Sequence, residues 1–449
     1  MWDSSEWKSI ENRLENTGLL LGKKGEFGLS EWDTHPIIRD YFGTQFKQTE
    51  PDNFKQAHAV LFDFNLAIPE KQFPDTLSEM APLFRAIMHG CKSEKYCESF
   101  DVYRSRVSRD HEYYSQHTLG AYSEELSSLS SFFPNGWEQK LSNDLSIEKQ
   151  AWIYAETSYC LMSLGYLHEA VSPREKHLQL FESIKDWMNA ARAAQNLVDL
   201  YLPLMRFREA LSTARLSVEY AEKSKDTEQM IRSYGSLGMM LYHDNNICDS
   251  LTNFNNAELH TKNKGDDFLS YTYGSDYCLV LLDIAQTVQD FKSIKKRAKC
   301  GLQVSIRDNH LVCIALYSLI LGKVYTSLGR VDKSNNHFNV AMTYVQKTNA
   351  IRYLPIFCLA KARFHLSTEE TDLAKNNLDT AFEIIERYDM KFHAIEYLLV
   401  KSQYHILMRD YDSASSCFKE ANSMICESGH QLFNSELVSI KNSLANITN

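Results

Sequence analysis

Chain breakers, excess positive charge and long apolar runs are all scarce in this sequence, and each absence removes a class of protein. Only 17 glycines and 9 prolines punctuate 449 residues. Pro36, Pro51, Pro69, Pro74, Pro82 and Pro134 lie in the first third, leaving Pro173, Pro203 and Pro355 beyond. The last two-thirds therefore read as almost wholly helical. The longest apolar run, Val312 to Leu321, holds a serine and is about half a membrane span. Met1 to Glu6 offers neither the basic nor the apolar segment of a secretory leader, so a cytoplasmic protein with no membrane partner is expected. Ten cysteines form no Cys-x-x-Cys pair, the pattern of reduced core thiols and not of a disulfide framework. A formal net charge of −10 excludes a protein whose main task is to hold a nucleic-acid backbone, because that needs a positive stripe.

Catalytic signatures are missing too. The stretch Gly18 to Lys24 imitates a phosphate-binding loop, but it is one residue short between its glycines, lacks the Ser or Thr that would bind magnesium, and follows a helical segment. No Gly-x-Ser-x-Gly elbow and no His-Glu-x-x-His pair supports Asp110-His111-Glu112 as part of a triad. His89, Cys91 and Cys97 have the chemistry of zinc ligands, yet no fourth ligand accompanies them and their spacing matches no known finger. A structural role is expected there. The basic cluster Lys292, Lys295, Lys296, Arg297 and Lys299 reads first as a solvated outer face and second as a contact for an acidic partner. The chain is expected not to be an enzyme and to carry no cofactor or metal of its own.

What is present is a repeat. Taking Ala170, Ala210, Ser250, Ile294, Ser334, Ala374 and Ala414 as one recurring position gives spacings of 40, 40, 44, 40, 40 and 40. Other positions keep the same phase: Phe254, Phe338, Leu378 and Phe418 four residues later, and Ala257, Ala341, Ala381 and Ala421 seven later. Two antiparallel helices need a small residue where they cross and large apolar residues around it, and they bury those faces only by stacking on neighbours. Gly238 and Gly322 supply the close-contact site on the first helix, with Tyr201 and Tyr325 three residues beyond that site in their units.

This pattern resembles the tetratricopeptide repeat in a longer form of about 40 residues. The resemblance implies an all-α fold, a right-handed α-α superhelix, with seven units over 136–429 and a capping helix over 430–449. Degenerate helical repeats are expected over 49–135, with a worn crossing at Cys97 to Tyr103 and a seam at Phe133-Pro134-Asn135-Gly136. First helices line the concave surface of such arrays. Counting back from the crossings puts Arg192, Gln195, Asn196, Asp199, Arg232, Tyr242, His243, Asp283 and Lys323 there. Both signs of charge mixed with aromatic and amide groups suit a protein or peptide ligand.

Residues 1–48 follow another pattern: a short amphipathic helix with Trp7, Ile10 and Leu14, turn residues Gly22 to Gly25 inside an extended stretch, then a helix from Pro36. Six Lys or Arg against eight Asp or Glu disfavour DNA contact. Asp33 to Phe42 resembles the end of the winged helix in signal-transducing ATPases of the STAND class, with NACHT or NB-ARC cores. The resemblance implies that the chain is the sensor half of such a machine, often an immune or regulatory switch such as bacterial antiphage defence. It also implies that His35 reports on nucleotide, and that ATP or ADP with magnesium resides in an NTPase core supplied in cis or trans. Pro36 stands where that class usually has Asp. The alternative is a self-standing tetratricopeptide adaptor or peptide-sensing regulator.

Overall fold

The computed structural model describes residues 4–24, 30–110, 112–137, 139–348, 353–429 and 431–448. They fall into two compact units, Met1–Ser146 and Ile147–Asn449.

In the first unit α1 (Ser4–Asn16) leads to a hairpin of β1 (Leu21–Lys24) and β2 (Ser30–Asp33), antiparallel with Leu21 opposite Asp33 and Lys24 opposite Ser30. The turn expected at Gly22 to Gly25 is corrected in part: Gly22 to Lys24 are strand, and Gly25 lies outside the described residues. α2 (Pro36–Thr49) starts where Pro36 fills a first-turn position that needs no N–H. Next come α3 (Pro51–Ala67), α4 (Leu77–Lys92), α5 (Tyr96–Val102) running into a π turn (Tyr103–Val107), α6 (Tyr114–His117) and α7 (Tyr122–Ser130). At the worn crossing Gly90 of α4 lies so close to Ser99 and Phe62 that any side chain there would collide. Tyr103, fully buried, donates its hydroxyl to Glu125 Oε2 at 3.2 Å. Gln116 Nε2 (2.8 Å) and Ser115 also donate to that carboxylate, so a buried charge is met by three donors. At the turn expected to mark the seam, Gly136 N donates to Phe133 O and Gly136 takes a positive φ of 98°; the two units divide farther on, between Ser146 and Ile147.

The second unit is seven helix pairs and a final helix. The pairs are α8 (Ile147–Ser163) with α9 (Leu167–Ser183), α10 (Trp187–Tyr201) with α11 (Phe207–Ser224), α12 (Thr227–His243) with α13 (Ile247–Asn263), and α14 (Tyr271–Ile284) with α15 (Val288–Arg307). Then follow α16 (Leu311–Ser327) with α17 (Val331–Gln346), α18 (Leu354–Ser367) with α19 (Thr371–Arg387), α20 (Lys391–Leu407) with α21 (Tyr411–Ser428), and finally α22 (Asn434–Thr448). All seven crossing residues sit on the second helix of a pair and are buried. Twelve residues before each stands Ser158, Val198, Gly238, Leu282, Gly322, Ala362 or Ser402. In four units one of the two is a serine whose hydroxyl donates to the carbonyl of the other: Ser158 to Ala170 (2.9 Å), Ser250 to Gly238 (2.7 Å), Ser334 to Gly322 (2.9 Å) and Ser402 to Ala414 (2.9 Å). The small residue thus brings the helices together, and its hydroxyl finds a partner inside the contact. Where Leu282 faces Ile294 the pair packs less closely.

Turns obey the same period. A left-handed residue recurs five positions before the crossing, at Gly165, Met205, Asn245, Gly329, Glu369 and Arg409, and fifteen after it, at Lys185, Lys225, Gly265, Asn309, Asp389 and Gly429. Only four of these are glycine, so stacking holds the others in a conformation that costs roughly 1–2 kcal/mol. The fourth pair departs from this: α14 ends in extended Ala285, and Thr287 with Asp290 forms a capping box for α15. The four extra residues of the long spacing lie before α14, within 264–270.

Candidate functional site

Successive first helices pack on one another along the array, and their remaining face forms an inner wall. Two rows, eighteen and eleven residues before the crossings, lie on it. The first row is Trp152, Arg192, Arg232, Asp276, Leu316, Ile356 and Glu396; the second is Tyr159, Asp199, Met239, Asp283, Lys323, Arg363 and Gln403. Seven residues is close to two helical turns, so both rows look the same way.

Of the positions expected in the groove, Arg192, Asp199, Arg232, Asp283 and Lys323 belong to these rows, and Asn196 lies beside them, half-buried. Three are corrected, because packing has taken them. Gln195 is buried and donates to Ser233 Oγ at 3.3 Å, where Ser217 also bonds at 2.7 Å, so its amide ties α10 to α12. Tyr242 and His243 are buried as well. The same count carried into the last two pairs, and applied fully to the fourth, would have found Arg363, Gln403, Glu396 and Asp276, which the sequence reading missed.

Tyr242 shows why the end of α12 is covered. Its hydroxyl donates to Asp283 Oδ2 at 2.9 Å, and burial pushes the phenol up, with Asp283 and then Glu396 of α20 adding to the effect. Helix α20 therefore faces α12 across three intervening pairs of the sequence. The His243 ring meets Phe392 at 5.2 Å edge to face, and Phe392 meets Phe433 at 5.9 Å. Gln431 N donates to His243 O at 3.3 Å. Leu432 packs against the cluster of Ile231 and Tyr242 and also against that of Leu398 and Ile440, which Met205 joins from the α10–α11 turn.

Inside this closure lies a cluster of charges. Arg363 holds Glu436 through two bonds, Nη1 to Oε1 at 2.5 Å and Nη2 to Oε2 at 3.0 Å, while Gln403 Nε2 reaches the same Oε1 at 2.8 Å and Glu396 stands 3.7 Å from Arg363 Nε. Burial lowers the Lys323 ammonium, and Glu396, Asp283 and Glu436 oppose that. At the other end of the wall burial pushes Asp276 up to about 7, helped by Asp199. Arg174 is pulled down to about 10 by burial, with Glu156 and Asp199 opposing, and its Nε donates to Ser158 Oγ at 3.1 Å. Arg232 and Tyr273 open onto a cavity of 590 Å³, where Glu228 bonds Arg232 at 3.1 Å and Lys264 at 2.7 Å and Asp308 accepts from the Tyr271 hydroxyl at 2.7 Å.

Other expected groups are placed as follows. His35 is exposed and caps α2, its Nδ1 accepting from Ile37 N at 3.3 Å. His89 Nδ1 meets His58 Nδ1 at 2.8 Å, Cys91 is buried, and the Cys97 thiol donates to Asp144 O at 3.2 Å, so the three residues serve separate contacts. His111 lies outside the described residues. In the basic cluster Arg297 is committed to Glu258 and to the rings of Phe268 and Tyr277, while Lys292, Lys296 and Lys299 are exposed. All ten cysteines are free. Among the described residues no helix is long and apolar enough to cross a membrane, and no three His, Cys, Asp or Glu side chains are grouped to hold a metal.

No family model matches the sequence, and no curated protein matches it. Solved structures do. A signal-transduction ATPase with numerous domains and a tetratricopeptide repeat sensor, from Pyrococcus horikoshii, is 14% identical with a TM-score of 0.39 over 97% of this chain and 60% of that one. A tetratricopeptide repeat protein from Parabacteroides merdae gives 14% and 0.41, over 67% and 100%. A Rap protein complexed with Competence and Sporulation Factor is 11% identical and matches with a TM-score of 0.52, over 88% of this chain and 98% of that one. At such identities the likeness is one of fold, and the fold is a tetratricopeptide-type, all-α solenoid like that of the Rap protein.

Proposed function

We propose that this chain is a non-catalytic regulator that binds a peptide, or a peptide segment of a protein, along the inner wall of its helical array. The observation that carries the reading is the pair of rows: Arg192, Asp199, Arg232 and Asp283, all exposed, and Asp276 and Lys323, half-buried, stand at repeat positions that look the same way. Single-residue ladders of both signs on a rigid scaffold suit a main chain with charged side groups. The Rap protein that shares the fold is complexed with Competence and Sporulation Factor, which fits an array used in this way. The proposal includes no cofactor, no nucleic acid, no membrane and a cytoplasmic site of action.

The test is a pooled library of short peptides carrying a photo-crosslinker, offered to the full chain and to Asp199→Lys and Lys323→Glu variants. Crosslinks should fall on the first helices and change composition in opposite senses in the two variants. Crosslinks confined to the second helices would end the proposal.

A second, finer reading makes the array the sensor arm of a STAND-type ATPase, with ATP or ADP and magnesium in an NTPase core in cis or trans. It is favoured by α2, which follows the helix and hairpin, buries no residue and leaves Ile37, Tyr41 and Phe42 more than half exposed. Such a row asks for a covering surface. His35, exposed at the start of that helix, would then face the core. His35→Ala should raise basal activity of the complete machine; unchanged nucleotide retention would remove this reading.

A further inference from the structure

A helix that merely caps an array has to cover the apolar face of the last pair. α22 does so with Leu437 and Ile440, both buried beside Leu398, Cys417 and Ile425. Glu436 does something else. Its carboxylate points past the last pair to Arg363 on α18, where the guanidinium grips both oxygens and Gln403 adds a third bond. Gln431 and Leu432 reach farther, to His243 and the Ile231 cluster of the third pair, and Phe433 lies on Phe392. The segment thus lies on the inner wall with its backbone bonded at one end, two apolar side chains seated, and a carboxylate gripped at the other. That is how a peptide ligand would lie.

We propose that Arg363 and Gln403 form the carboxylate-receiving subsite of the groove, and that the chain's own Leu432-Phe433-Asn434-Ser435-Glu436 segment occupies it until an acidic peptide of the same pattern displaces it. This deepens the reading of the wall as a peptide groove and rests on it. The favoured ligand carries two adjacent bulky apolar residues with Glu three positions after the second. Lys323, whose ammonium feels Glu436, Glu396 and Asp283 but makes no side-chain hydrogen bond or ion pair among those described, offers a second cation that Glu436 leaves unused. A tethered segment competes at millimolar effective concentration, so the wild type should bind such a peptide weakly. Weakening the tether's own grip should expose the site.

The probe is an acetylated, amidated peptide of residues 431–444, its binding to the full chain followed by fluorescence anisotropy. Glu436→Gln in the protein should tighten binding by roughly ten- to a hundred-fold, the worth of one charge-assisted pair. Glu436→Gln in the peptide should reverse that gain, and Arg363→Met in the protein should abolish it. Gln403→Leu gives an independent arm should the Arg363 variant fold poorly, with a smaller loss expected. In the wild type, excess peptide should speed amide exchange over 431–437 while exchange in α10 to α13 stays unchanged. Equal binding of the Glu and Gln peptides, or equal binding by wild type and Glu436→Gln protein, would make the segment a cap alone and overturn the proposal. Those results leave the groove reading standing. Failure of the pooled library with success here would remove the general reading and keep this subsite.

Discussion

Along the inner wall, the stretch from α10 to α14 and the stretch from α16 to α20 have the same row positions and opposite fates. In the first, Arg192, Arg232 and Asp199 are exposed, and Asp276 lies near Asp199 with its carboxyl pushed up to about 7. In the second, Arg363, Gln403 and Glu396 are gathered around Glu436, which comes from the final helix. The repeat decides where a side chain stands; what lies across the lumen decides whether it is covered. Substitutions should therefore have unequal effects at equivalent positions.

The largest effect is expected at Arg363. Arg363→Met leaves Glu396 and Glu436 without their cation; removing one partner of a fully buried pair costs about 3 kcal/mol, and here, where the side chains are half-buried, the loss should approach but not exceed that. It should appear in chemical denaturation and as lost amide protection in α22, with α10 to α13 unaffected. Phe392→Ala comes next, at about 2 kcal/mol because Phe392 is only half-buried. It should lower the thermal midpoint and open residues 429–433 to protease. If both variants leave α22 protected, the two stretches do not differ as described.

Asp276 supplies a test of the open stretch through pH. The folded carboxyl holds its proton up to about 7, whereas the unfolded one gives it up near 3.8. Between these values the native state binds more protons, so this residue makes stability fall as pH rises, with no further change above about 7. His393 acts in the opposite sense: burial lowers it to about 4, so its contribution is lost as pH falls from the ordinary imidazole range. The difference between wild type and Asp276→Asn isolates the first effect. It should slope by some fraction of the ceiling of about 1.4 kcal/mol per pH unit, since Asp276 is half-buried by its own surface. A flat difference between pH about 4 and 7 would remove the crowded carboxyl from the account. The smallest effect belongs to Arg232→Ala. Its pair with Glu228 at 3.1 Å is exposed, so stability should change by less than about 1 kcal/mol while capture of charged peptides falls.

Much of the array was legible because its period is enforced by contact. A small residue is required wherever two helices touch, so Ala170 to Ala414 mark every pair, and Gly238 and Gly322 mark the facing sites. The departure at the fourth pair was visible too, as Ile294 and the 44-residue spacing. The wall rows were legible in principle, yet their occupants were not. That Gln195 would turn to Ser233, or that Tyr242 and His243 would be covered by α20, depends on which distant pairs meet, and no local pattern encodes a meeting across some 150 residues. The destination of Glu436 was hidden for the same reason: in sequence it is one acidic residue in the first turn of a terminal helix, where a carboxylate needs no special explanation.

Arrays of repeats ordinarily behave as stacks in which each member knows only its neighbours, so members can be added or deleted and stability changes by a fixed increment. The meeting of Phe392 with His243 removes that freedom here. Deleting one whole repeat between α12 and α20 would leave both residues intact and bring them to the wrong angle and height. The number of repeats is thus fixed in this chain as a ring size is fixed in a closed oligomer, by the geometry of the join.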